Sequence, residues 1–180
     1  MNYDEYYLNQ NTIFLRKIIP DIEERLEKID IVSDFKIASS EKGYPILMKN
    51  GIALNDKYNP IEENINVFEA VPQSKDNIYI ICGLELGHLL TFFRDNSQGQ
   101  IILFENDLEQ MKYTFSKVSL IKVLGCPRVY VATNFDELNK IIAHIKLLSK
   151  IEHIYTVAND YYSKIYSNTI AQLQEMYVWL

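Results

Sequence analysis

The stretch Ile78-Tyr79-Ile80-Ile81-Cys82-Gly83-Leu84-Glu85-Leu86-Gly87-His88 decides how this chain reads. Five apolar residues in a row, Ile78 to Cys82, predict a strand buried on both faces. Gly83 and Gly87 bracket a turn, and the residues up to Phe93 predict a helix. A strand, a glycine turn and a helix make the first βα unit of a nucleotide-binding sheet. Glycines let the backbone turn sharply and approach a ligand, and a helix start offers free amide donors. A second buried strand, Gln100 to Glu105, ends in an acid 22 positions after Gly83. An acid there would hold the ribose hydroxyls of a nucleotide or of S-adenosylmethionine.

The same grammar continues toward the C-terminus. Asp107 to about Lys117 predicts a helix with an Asn or Asp cap, Arg128–Ala132 a third strand and Asn134–Ser149 a helix. Glu152–Val157 predicts a fourth strand, and Asp160–Leu180 a last helix. Repeated βα units imply a parallel sheet with right-handed crossovers. The expected fold class is α/β: a Rossmann-like three-layer domain with a mostly parallel sheet.

Toward the N-terminus the pattern differs. Apolar residues recur at helical spacing over 3–29, interrupted at Pro20, which breaks or kinks the helix. Asn50-Gly51 sits between Ile46-Leu47-Met48 and Ile52-Ala53-Leu54, a strong two-residue hairpin signal. Residues 35–54 therefore predict a small antiparallel meander. Asn59-Pro60-Ile61-Glu62 predicts a helix start, with Asn59 capping and Pro60 at the first helical position. The expected division is an N-terminal helical segment plus meander over 1–54 and a Rossmann-like domain over 55–180.

The glycine turn is irregular. Methyltransferase-like loops read Gly-x-Gly-x-Gly, often with an acid two residues before the first glycine. Here Glu85 stands at the centre and Ile81 at the preceding position. A glutamate there takes ligand space and repels anions, which disfavours a dinucleotide pyrophosphate. Either an adenosyl ligand is held by a rearranged loop, or the turn is kept for its fold alone. The geometric candidates for a ligand site are Gly83, Glu85, Gly87, His88 and Glu105. His88, in the first helical turn, is read as a polar site residue or as a structural or solvated one. His144 and His153 have no partner at metal-ligand spacing, so no metal is expected. Cys82 reads as a small core residue and Cys126 as a loop thiol. No Ser-His-Asp set, P-loop or paired-carboxylate site is present.

Composition narrows the function classes. The 180 residues carry 18 Lys plus Arg against 24 Asp plus Glu, a formal charge of −6. Without a basic block, nucleic acid and anionic membranes are not expected partners. No apolar run nears the roughly 20 residues of a membrane span. The N-terminus lacks a signal-peptide pattern, and two cysteines make no disulfide framework. A cytoplasmic protein is expected, with its oligomeric state open. The last expected helix runs to Leu180 without a cap, and Trp179 and Leu180 are apolar. They read either as a natural packed end or as the edge of a domain in a longer polypeptide.

Three motifs carry a family resemblance. Leu54-Asn55-Asp56-Lys57-Tyr58-Asn59-Pro60-Ile61-Glu62-Glu63 comes first, then Ile80 to His88, then Leu103-Phe104-Glu105-Asn106-Asp107. In order and spacing they resemble the N-terminal region of the motility-associated-factor proteins, which carry the domain of unknown function 115. That family shows Tyr-Asp-Pro-x-x-Glu, a strand ending in Gly-x-Gly-x-Gly-Tyr, and a strand ending in Glu-Pro-Asp. The likeness covers roughly 40–117 by motif. Asn59, Glu85, His88 and Asn106 depart from the pattern, all on the motifs that a ligand site would draw on, which weakens any transfer of the family's binding site. The resemblance implies a bacterial cytoplasmic protein of flagellin glycosylation, in which a later domain transfers a nonulosonic sugar from a nucleotide-activated donor to Ser or Thr. This chain would then be an accessory region, its partners flagellin or a downstream catalytic domain. Two alternatives stand beside it: a small S-adenosylmethionine-dependent methyltransferase-like enzyme, and a protein-interaction module docking flagellin or its chaperone through the amphipathic N-terminal helix and the meander.

Overall fold

A computed structural model describes residues 3–16 and 18–177 of the chain. The N-terminal helical stretch divides at Pro20 into α1 (Tyr3–Leu15) and α2 (Ile22–Glu27). The meander forms as β1 (Phe35–Ser39), β2 (Pro45–Lys49) and β3 (Ile52–Ala53), all antiparallel. Its second turn is the Asn50-Gly51 pair, with φ of 52° and 78°. Positive φ at both central residues is what a two-residue hairpin turn requires, and Asn-Gly supplies it at least cost. Helix α3 (Pro60–Glu69) starts where the sequence predicts, with the Asn59 side chain accepting from the Glu62 amide.

The second sheet consists of β4 (Asn77–Cys82), β5 (Gln100–Phe104), β6 (Val129–Ala132) and β7 (His153–Val157). All three pairings are parallel and the spatial order is β6-β5-β4-β7. The chain steps outward from β4 through β5 to β6, then returns across the sheet to β7. Helices α4 (His88–Asn96), α5 (Leu108–Lys117) and α6 (Ile121–Leu124) serve the outward steps, and α7 (Phe135–Leu148) serves the return. Reversing direction with crossovers of one hand forces the return helix onto the other face. The two cores obey this. Tyr79, Ile81, Ile101 and Leu103 face α4, α5 and α6, while Ile78, Ile80, Ile102 and Phe104 face α7. The strict alternation along β4 and β5 makes a sheet buried on both sides, which is why those strands read as unbroken apolar runs.

The N-terminal helices belong to the first core, since Leu15, Ile19, Ile22 and Leu26 are buried there with Met111 and Phe115. Asn11 ties α1 to the same layer, donating to the Phe115 carbonyl (3.0 Å) and accepting from the Leu120 amide (2.8 Å). The last helix differs from expectation. It is two helices, α8 (Asp160–Ile165) and α9 (Ser167–Tyr177), divided at Tyr166. Tyr166 stacks on Tyr162 at 4.3 Å and donates its hydroxyl to Asp107 Oδ2 at 2.6 Å. That tether fixes the end of α8 over the sheet, and α9 then lies along the second core through Ile170, Leu173 and Tyr177. The end of the last helix at Trp179 and Leu180 lies outside the described residues. Among the described residues no helix is long and apolar enough to cross a membrane.

Candidate functional site

The switch in strand order lies between β4 and β7, and in open α/β sheets ligands bind beyond the strand ends at such a point. The loop after β4 is therefore the first place to look. Gly83 has φ +96°, and a β-carbon built on it would meet the Tyr162 ring at 2.4 Å. The space that a nucleotide-binding glycine leaves for its ligand is thus taken by a side chain from α8. Tyr162 is fully buried in the second core and donates its hydroxyl to Glu105 Oε1 at 3.1 Å. The loop amides are spent internally as well. Gly83 N donates to the Phe104 carbonyl (3.0 Å), Leu84 N to Glu105 Oε2 (2.8 Å) and Gly87 N to the Leu84 carbonyl (2.6 Å).

Glu85, at the irregular centre of the loop, has φ 49° and is 1% exposed. Its side chain accepts from two amides, Asn55 Nδ2 and Asn159 Nδ2. Asn159 Nδ2 also donates to the Leu54 carbonyl at 3.0 Å, and Asn55 Oδ1 accepts from Leu47 N at 3.2 Å. The Glu85 carbonyl accepts from Thr114 Oγ1. One buried residue therefore joins four segments, its carboxyl group the meander and the β7–α8 loop to the β4–α4 loop, and its backbone carbonyl that loop to α5. Burial, the neighbouring Glu63 and Glu105 among other causes hold its pKa well above the usual range despite the two amide donors. A neutral Glu85 is compatible with burial where an unpaired anion is not.

Glu105 is fully buried at the end of β5 and accepts four hydrogen bonds. Besides Leu84 N and Tyr162 they come from Asp107 N (2.8 Å) and Gln110 Nε2 (2.6 Å). Burial pushes its pKa up to about 7 against the pull of these donors. The acid expected to grip ribose hydroxyls instead binds its own polypeptide. His88, half-buried at the start of α4, donates from Nε2 to the Pro45 carbonyl at 2.9 Å, so it faces the meander. Burial lowers its pKa, which favours the neutral ring. Gly87 is also closely packed, a β-carbon there meeting Leu120 at 2.6 Å. The structure thus gathers Gly83, Glu105 and Tyr162 into one knot and Glu85 with Asn55 and Asn159 into an adjoining one, leaving His88 apart. Asn55, Asn159, Gln110 and Tyr162 escaped the sequence reading of the site. Their only local signal is the helix-capping role of Asn159, which accepts from Tyr162 N.

Open space lies next to this knot, on the far side of the end of β7. A cleft of about 740 Å³ runs between α3 and α8, with Thr156, Val157 and Ala158 along one wall. Among the described residues no group of three or more His, Cys, Asp or Glu is placed to hold a metal ion. Cys82 stays a thiol, its pKa raised by burial and by Glu105, and Cys126 is half-buried against the first core.

No family model and no curated protein sequence matches this chain. Its fold is similar to a solved structure, the MAf glycosyltransferase from Magnetospirillum magneticum, with a TM-score of 0.52 and 13% sequence identity. The likeness covers 98% of this chain and 36% of that one, so the chain spans about a third of its length. At that identity the likeness shows a shared α/β fold.

Proposed function

We propose that this chain is a non-catalytic Rossmann-like region of a flagellin-glycosyltransferase-like protein. In this reading, residues outside these 180 transfer a nonulosonic sugar to Ser or Thr of flagellin in the cytoplasm. The filled crevice is the observation that carries it. A nucleotide or S-adenosylmethionine would have to expel the Tyr162 ring and break its bond to Glu105. Two further observations support the reading. Nearly the whole chain resembles part of the MAf glycosyltransferase in fold, and the motifs at 54–63, 80–88 and 103–107 stand in that family's order. The knots at Gly83–Gly87 and Glu105 would then serve as a rigid joint that fixes the meander and α8 on the sheet, presenting one surface to flagellin or to a catalytic domain.

Two measurements test this. Calorimetry with S-adenosylmethionine, S-adenosylhomocysteine and a nucleotide-activated nonulosonic sugar should give no heat at millimolar ligand. Saturable binding that Glu105→Ala abolishes would replace the proposal with a methyltransferase-like enzyme. In the source organism, deleting the codons for 78–105 should remove the sugar mass increments from flagellin in intact-protein mass spectrometry. Flagellin of unchanged mass would refute the glycosylation role.

A further inference from the structure

The four groups bonded to the buried Glu105 carboxyl are all donors. Oε1 accepts from Asp107 N (2.8 Å) and the Tyr162 hydroxyl (3.1 Å), and Oε2 from Leu84 N (2.8 Å) and Gln110 Nε2 (2.6 Å). That set suits a carboxylate, which only accepts. It gives a protonated Glu105 nothing to donate to. Two of the donors are main-chain amides, which cannot change role. Tyr162 could accept only by turning its own proton elsewhere, and among the described residues its hydroxyl bonds to Glu105 alone.

The second observation lies on Gln110. Its backbone is fixed, since Gln110 N donates to the capping Asp107 Oδ1 at 3.1 Å. Its side chain is fully buried, yet Oε1 has no hydrogen-bond partner. An orphan acceptor of this kind is costly. It belongs to the same planar amide as the Nε2 that meets Glu105, so a half-turn about the last side-chain bond exchanges the two atoms. That torsion is soft and two-fold in glutamine. After the turn, a protonated Oε2 donates to Gln110 Oε1 and still accepts from Leu84 N. The Asp107 and Tyr162 bonds keep their direction. The turn replaces one orphan atom by another and adds none.

We propose that the Gln110 amide is a two-way latch: it donates to ionised Glu105, and when Glu105 takes up a proton it turns and accepts that proton on Oε1. α5 then stays fastened to the end of β5, and the Tyr162 ring stays over Gly83, in both states. The groups that face Glu105 are Asp107 at the start of α5, Tyr162 on α8 with Tyr166 after it, Cys82 at the end of β4 and Glu85 in the β4–α4 loop. Lys49 reaches Asp107 from β2. Burial, then the Asp107 charge, raise the Glu105 pKa to about 7 against the Leu84, Asp107 and Tyr162 donors. The acid is therefore neutral below that value and ionised above it, and both latch positions are populated near neutrality.

The test is NMR of the isotopically labelled 180-residue chain from pH 5 to pH 9. Glu105 Cδ and the Gln110 side-chain amide should trace one curve with a midpoint of about 7. On the alkaline side Gln110 Nε2 and Leu84 N point hydrogens at the same oxygen, and the cross-peak between those hydrogens should vanish on the acid side. Cross-peaks between the Tyr162 ring and Gly83 should persist throughout. The Gln110 curve should disappear in Glu105→Gln and survive in Glu85→Gln, which removes the other buried acid of the knot. Gln110 resonances that stay fixed while Glu105 titrates would overturn the proposal. So would a Gln110 curve that is lost in Glu85→Gln, a Glu105 that keeps one state from pH 5 to pH 9, or Tyr162–Gly83 cross-peaks that fade in acid. None of these outcomes bears on flagellin mass, so the latch and the glycosylation role fail separately.

Discussion

Replacing Gly83 by alanine tests the filled crevice directly. Two costs arise, and they separate experimentally. At φ +96° an alanine is strained whatever surrounds it, by about 1–2 kcal/mol. In addition its β-carbon falls 2.4–2.8 Å from three atoms of the Tyr162 ring, so the ring must move by about 1 Å. That ring is held by the second core, by Tyr166 stacked at 4.3 Å and by its hydroxyl bond to Glu105. Overpacking at such a site costs about 1–3 kcal/mol, and the strained hydroxyl bond about 1 more. The expected total is about 3–6 kcal/mol. For a chain of this size each kcal/mol moves Tm by about 2–4 °C, so thermal unfolding followed by circular dichroism should shift down by about 6–24 °C. Repeating the substitution in a Tyr162→Leu background removes the clash and leaves the backbone strain. The coupling between the two sites should therefore be about 2–4 kcal/mol. A Gly83→Ala cost that is identical in both backgrounds would mean that the ring does not occupy this space, and the crevice would be open to a ligand.

Other expectations follow from the same contacts. Asn159→Ala removes the Glu85 and Leu54 bonds and the cap on Tyr162 N, and should cost about 2–4 kcal/mol in urea unfolding. A loss below 0.5 kcal/mol would contradict the joint. Stability should fall as pH rises from about 5 to 8. The folded pKa values of Glu63 and Glu105 are raised to about 7, and that of Glu85 is raised well above its ordinary value. Such groups bind protons more tightly when folded, so their stabilisation is complete below about 4.5 and lost through about 7. Glu105 alone accounts for about 3 kcal/mol of this, and a urea midpoint that is higher at pH 8 than at pH 5 would refute the sign. Below pH 4 the trend should reverse. Although burial raises it, Asp107 is held low by Lys49, Tyr166 and Gln110, so its contribution disappears as acid protonates it.

The elements were legible where neighbours in sequence are neighbours in structure. Asn59, Asp107 and Asn134 cap helices as a local bond to the third residue onward, and the Asn50-Gly51 turn is complete within four residues. Strands β4 and β5 announce themselves because burial on both faces leaves only their first residues, Asn77 and Gln100, polar. Helix α6 was missed because four residues are too few to display a helical period. The division at Tyr166 was missed because no glycine or proline marks it, and the tether responsible is Asp107, 59 residues away.

The candidate site divides along the same line. From the residues alone came the βα turn at 83–87, the acid at the end of β5 and the oddness of Glu85 among glycines. Whether that glutamate faced a ligand or the protein was beyond local reasoning. Its partners Asn55 and Asn159 lie 30 and 74 positions away, and only the order β6-β5-β4-β7, which carries α8 back over β4, brings them together. Periodicity and caps are short-range terms that each segment carries by itself, so sequence determined the strands, the helices and the parallel alternation. What fills a crevice depends on side chains delivered by distant segments after the sheet has assembled. Tertiary structure alone therefore decided that Tyr162 sits over Gly83 and that the open space lies between α3 and α8.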